Sequence, residues 1–139
     1  MKKVILIVLA IFVGTFVFAQ QNVAFVRGVN KTNCGYSTDA CYRCEYGKGN
    51  VYELLQSARN KLSCSSSMKL NDNKSNANYL IVISSSFKYE DGNCSANVYG
   101  FGAASNRTEA LKQALKNIES NNWSWREKYG YKIEVDRSL

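Results

Sequence analysis

Cys41-Tyr42-Arg43-Cys44 is the spacing in this chain that most invites covalent chemistry. Two thiols set two residues apart can cycle between dithiol and disulfide when a helix N-terminus directly behind the first one acidifies it. Here Glu45, Tyr46, Gly47, Lys48 and Gly49 come before any helix, and the chain has no proline to shape a facing turn. The spacing therefore reads first as a structural cross-link, with a thiol–disulfide oxidoreductase built on Cys41 and Cys44 as the alternative. A zinc site from Cys34, Cys41 and Cys44 lacks a fourth ligand. Histidine is absent from the chain, which removes Ser–His and Cys–His nucleophile pairs and every imidazole ligand. The acids are scattered, and none are paired as glycoside hydrolysis requires. No metal, no cofactor and no enzymatic activity are expected.

Two other groups of residues could bind. Trp123-Ser124-Trp125-Arg126, with Tyr129 close behind, places aromatic faces beside a cation, a combination that stacks on sugar rings, peptides or bases. Gly100-Phe101-Gly102-Ala103-Ala104-Ser105-Asn106-Arg107 runs from a strand into a helix start, where backbone N–H groups could hold an anion with help from Arg107 and Lys112. This segment resembles the strand-to-helix closing motif of double-stranded-RNA-binding domains. It is also similar to small secreted bacterial domains with a Gly-x-Gly strand and an Arg-x-Glu-Ala helix start, here Arg107, Glu109 and Ala110. The RNA-binding resemblance implies adjacent lysines on phosphates, whereas Asn106 and Arg107 stand at this helix start.

The first residues set the compartment. Lys2 and Lys3 precede an apolar run from Val4 to Phe18, and Ala19 is followed by Gln20. That is a positive n-region, an apolar h-region and a small residue at the cut, so residues 1–19 are predicted to be a cleaved signal and 20–139 a single domain. The run falls short of the roughly 20 apolar residues of a membrane span. The chain carries 18 Lys and Arg against 11 Asp and Glu; losing Lys2 and Lys3 leaves 16 against 11, a mildly basic domain. Export, to the periplasm or outside the cell, exposes all five cysteines to oxidation. Sequons at Asn30, Asn73, Asn93, Asn106 and Asn122 would matter only in a eukaryotic secretory pathway.

The elements that must position these residues follow from periodicity. Asn22 to Val29 reads as a strand, and Asn30 to Asn50 as a cysteine-bearing loop. A helix capped by Asn50 carries Val51, Leu54, Leu55, Ala58 and Leu62 on one face. Ser63 to Asn78 is polar and reads as a linker. Tyr79 to Tyr89 is a strand, and the Asp91-Gly92 turn returns it as Cys94 to Gly102. A second helix, Asn106 to Asn121, and a last strand, Tyr129 to Asp136, close the chain. The order β-α-β-β-α-β predicts an α+β fold of ferredoxin-like type, an antiparallel sheet with two helices on one face, stabilised by disulfides. On that topology the loop cysteines and Cys94 share one end of the sheet while Cys64 lies at the other. Cys94 is thus expected to pair with one of Cys34, Cys41 and Cys44, the other two with each other, leaving Cys64 as the free thiol.

The expectation is a secreted or periplasmic binding domain without catalysis, contacting an unknown protein or glycan through Trp123, Trp125, Arg126 and Tyr129. A polyanion-binding module using Arg107 and Lys112 is a further alternative. Nucleic acid is not the expected partner.

Overall fold

The computed structural model describes residues 20–90 and 92–139; the expected signal, residues 1–19, lies outside them. Among the described residues six strands form two three-stranded antiparallel sheets, accompanied by two α-helices and a short 3-10 turn at Glu127–Tyr129. In the first, β1 (Gln21–Lys31) is central, flanked by β2 (Ser37–Gly47) and β3 (Met68–Ala77), with α1 (Val51–Asn60) between them in sequence. In the second, β4 (Tyr79–Lys88) is central, flanked by β5 (Ser95–Ala104) and β6 (Lys132–Ser138), with α2 (Arg107–Asn121) in between. The α+β class and disulfide stapling are as expected. So is the order of the six expected elements. The structure adds two strands, β2 in the cysteine loop and β3 in the polar linker, and each helix covers its own sheet. The chain therefore passes twice through the same ββαβ path, with strand orders β2-β1-β3 and β5-β4-β6.

Residue alternation builds the layers. From β1, Val23 and Phe25 meet Leu80 and Val82 of β4 and Phe101 and Ala103 of β5, a core between the two sheets. Phe25 stacks on Phe101 at 5.2 Å between ring centroids. On its other face, β4 sends Ile81 and Ile83 towards Ala110, Ala114 and Ile118 of α2, a second core. Gly100 and Gly102 let α2 lie almost on the β5 backbone: a Cβ on Gly102 would stand 1.8 Å from the Ala110 carbonyl oxygen. The β1 strand is buried without a break from Val23 to Val29, as a central strand covered on both faces must be.

Strand β5 ends its sheet, and its outward N–H groups need partners. Three alternate ones find them in side chains. Asn97 N donates to Thr38 Oγ1 at 3.0 Å, Tyr99 N to Asp39 Oδ2 at 2.8 Å, and Phe101 N to Asn117 Oδ1 at 3.0 Å. Asp39 also receives Arg27 Nη1 at 2.9 Å in a buried ion pair. A bulge makes this possible: Gly28 pairs with Cys41 but Val29 with Asp39, so Ala40 is the extra residue, and Asp39 turns inward like Tyr42 and Cys44.

The disulfides are Cys34–Cys94 and Cys41–Cys64. Cys94 pairs with a loop cysteine as expected. The remainder is a correction: Cys64 is bonded, and Cys44 is the unpaired thiol. Because β2 returns the chain antiparallel to β1, α1 runs opposite to its expected direction. Cys64 then emerges where β3 starts, beside Val29, and above Gly28 where Cys41 sits.

Candidate binding cleft

Helix α2 is capped by Asn122, which is buried and ties down the turn that follows. Its side-chain N–H donates to the Tyr89 hydroxyl at 3.2 Å, and its Oδ1 accepts from Ser124 N at 3.1 Å. Its carbonyl accepts from Trp125 N at 3.0 Å. Arg126 Nη1 donates to the main-chain carbonyls of both Trp123 and Trp125. This turn divides the two tryptophans. Trp125 is 1 % exposed, inside the α2 core, whereas Trp123 is 77 % exposed. Trp125 is thereby corrected from contact residue to core residue.

Beside Trp123 lies a cleft of about 290 Å3, lined also by Tyr36, Tyr89, Tyr129, Lys88, Glu90, Ser124 and Arg126. Its aromatic walls are braced from behind. Tyr36 stacks on Tyr89 at 4.0 Å, Tyr129 stacks on Phe87 at 5.3 Å, and the Tyr89 hydroxyl donates to the Ser37 carbonyl at 3.1 Å. Tyr89 also anchors the Asn122 turn, so one buried phenol joins the β1–β2 turn, β4 and the end of α2. The Cys34–Cys94 bond crosses between the same hairpin ends. Lys88, Glu90 and Arg126 are exposed, and none of them forms an ion pair with a described residue.

Of the residues singled out from sequence, Trp123, Arg126 and Tyr129 come together here. Tyr36, Lys88, Tyr89 and Glu90 were missed because they are distant in sequence. The signal that could have found them is the Cys34–Cys94 pairing, since Tyr36 and Glu90 each lie within a few residues of one of its ends.

The other candidates disperse. Arg107 grips Asp136 in a bidentate ion pair, Nε to Oδ1 at 3.1 Å and Nη2 to Oδ2 at 2.7 Å, and Tyr79 donates to the same carboxylate at 2.6 Å. Asn106 Oδ1 accepts from Glu109 N at 2.9 Å, so the helix start answers its own donor. Lys112 is exposed beside a separate groove with Leu111 and Leu115. Asn106 and the buried Asn122 are engaged in these local bonds, whereas Asn73 and Asn93 are exposed.

The paired-thiol reading is corrected as well. Three residues apart on a strand, Cys41 and Cys44 point to opposite faces. Cys41 is joined to Cys64, while Cys44 faces the inter-sheet core, where burial, then Glu45, pushes its thiol up to about 12. A half-buried thiol held in its neutral form is a poor nucleophile.

Among the described residues no helix is long and apolar enough to cross a membrane. No family model, curated protein or solved structure matches the chain.

Proposed function

We propose that the protein is an exported binding domain that performs no chemistry and holds a protein or glycan partner in the cleft beside Trp123. The observation that carries this reading is a largely exposed indole on a turn whose main chain is held by buried and hydrogen-bonded neighbours. A large aromatic left in water costs solvation, and holding its main chain in place removes part of the ordering entropy that a partner would otherwise have to overcome. Rigid aromatic anchors beside a small mixed pocket are the common make-up of recognition sites. Export is supported by the leader-like residues 1–19 and by two disulfides, which persist in oxidising compartments.

The chain, expressed with its own leader, is recovered from the periplasm or medium, and its N-terminus is read by mass spectrometry. A chain beginning near Gln20 supports export; a full-length cytosolic chain with reduced thiols overturns it. The recovered domain is then applied to glycan and peptide arrays beside Trp123→Ala. Trp123→Ala should keep its unfolding midpoint, because the side chain is largely exposed, and should lose the retained spots. Equal retention by both proteins would remove the cleft from the reading.

A further inference from the structure

We infer that the cleft takes a sugar ring bearing a carboxylate, an inference that rests on the cleft being the binding site. The described lining residues are four aromatic side chains, three charged ones and a serine, with no aliphatic residue among them. An apolar peptide side chain would find no aliphatic contact there. A sugar ring presents a C–H face that stacks on an indole and an equator of hydroxyls that exchange hydrogen bonds with Ser124 and Glu90. The volume, about 290 Å3, sits at the small end of ligand sites. It suits a ring-sized unit and not a helix or an extended protein surface.

Charge selects among sugars. Among the described lining residues two cations, Lys88 and Arg126, stand with one carboxylate, Glu90. The Arg126 guanidinium is already oriented, because Nη1 is held by two main-chain carbonyls, while Nε and Nη2 donate to no described residue. A guanidinium fixed at one nitrogen and open at the others is pre-set for the fork geometry of a carboxylate. Its orientation cost is met inside the domain before any ligand arrives.

The test is a fluorescence titration of the oxidised domain with two matched pairs, sialyllactose against lactose and a galacturonate trimer against galactotriose. Tri-glutamate is the peptide-carboxylate control. Trp123 provides the signal, since Trp125 is buried; Trp123→Phe should abolish it. At least one acidic sugar should bind about tenfold more tightly than its neutral partner, the scale of one charge-assisted hydrogen bond. Arg126→Lys, which keeps the charge and loses the fork, should reduce that preference, read as the ratio of acidic-sugar to neutral-sugar affinity. Glu90→Gln should strengthen acidic-sugar binding. Unchanged Trp125 emission and unfolding midpoint show that Arg126→Lys keeps the turn. Equal binding of acidic and neutral sugars overturns the inference and leaves the cleft intact. Tri-glutamate binding as tightly as the sugars also overturns it, in favour of an acidic peptide. Silence towards every sugar overturns it too, and the arrays with Trp123→Ala then decide separately whether the cleft binds anything.

Discussion

The first half of the chain, β1 to β3, and the second, β4 to β6, follow the same path and are held together by different means. Helix α2 buries Ala110, Ala114 and Ile118 on a strand stripped to glycine at Gly100 and Gly102. Helix α1 buries only Ala58. Strand β3 keeps Ala77 alone fully buried, and its exposed side chains include Asn73, Lys74 and Ser75. Where the second half has a packed helix, the first has the Cys41–Cys64 bond fastening the end of α1 across β2. Small domains exchange core for cross-links in this way when apolar surface is short. Here the exchange occurs between two copies of one motif in one chain.

The sharpest way to break the comparison is to add one methyl group to each half. A Cβ on Gly102 meets backbone on every side, the Ala110 carbonyl oxygen at 1.8 Å and Ala114 N at 2.6 Å. Backbone cannot step aside, so Gly102→Ala should lose about 3 kcal/mol or more. Gly28→Ala in the first half meets Cys64 Sγ at 2.8 Å and the Ser66 side chain at 2.9 Å. Cys64 Sγ is tied to Cys41 and Ser66 Cβ to its own backbone, so only Ser66 Oγ can turn aside; but no main-chain atom is met directly, and about 1–2 kcal/mol is expected there. Urea unfolding of both variants measures the difference. Equal losses would mean that α2 is not the better packed helix.

Removing the covalent staple probes the other half. The Cys41–Cys64 bond closes a separation of 23 residues, which chain entropy values at about 3 kcal/mol. The double variant Cys41→Ser, Cys64→Ser should therefore lose roughly that amount. The loss should be local. Hydrogen exchange should quicken in α1 and β3 and stay slow in α2 and β5. Uniform quickening throughout would show that the two halves unfold as one and that the staple serves both.

The same contrast explains how far the sequence could be read. Helix α2, β4, β5 and β6 carry regular apolar spacing because packing holds the second half, and that spacing is visible in one chain. Strand β3 carries almost none. It exists because β1 offers a second row of hydrogen bonds, from Gln21 opposite Ala77 to Val29 opposite Met68, a tertiary cause with no local trace. Strand β2 was more accessible: Tyr42, Cys44 and Tyr46 alternate with Arg43 and Glu45, a period of two obscured by glycine and cysteine around it. Missing β2 reversed α1 and misplaced Cys64, so one overlooked strand accounts for the wrong half of the cysteine pairing. In the cleft, spacing identified the Trp123–Tyr129 segment. It could not separate Trp123 from Trp125, since that depends on how Asn122 and Arg126 fold the turn.

The smallest effect concerns two aspartates and has opposite signs in its two parts. Asp136, at the edge of the second half, is held below its ordinary value of 3.8 by the hydrogen bonds from Arg107 and Tyr79. Its folded form prefers charge more than its unfolded form does. The stability it adds is present above pH 3.8 and is lost as pH falls through the lower folded value. Asp39, between the halves, is pushed above 3.8 by burial, which Arg27 and Tyr99 N–H only partly offset. Its contribution runs the other way, present below 3.8 and lost as pH rises through the raised folded value. Stability measured against pH should therefore fall on the acid side in the native protein. Asp136→Asn should flatten that fall, because only the carboxylate contributes to it. Asp136 is exposed, so added salt should shrink the difference between the two proteins. Asp39→Asn, in contrast, should change the slope only above pH 3.8, and salt should leave that change in place because the pair is buried. A salt-sensitive Asp39 slope would mean that water reaches the seam between the two sheets, and the junction of the halves would then be a loose contact instead of a shared core.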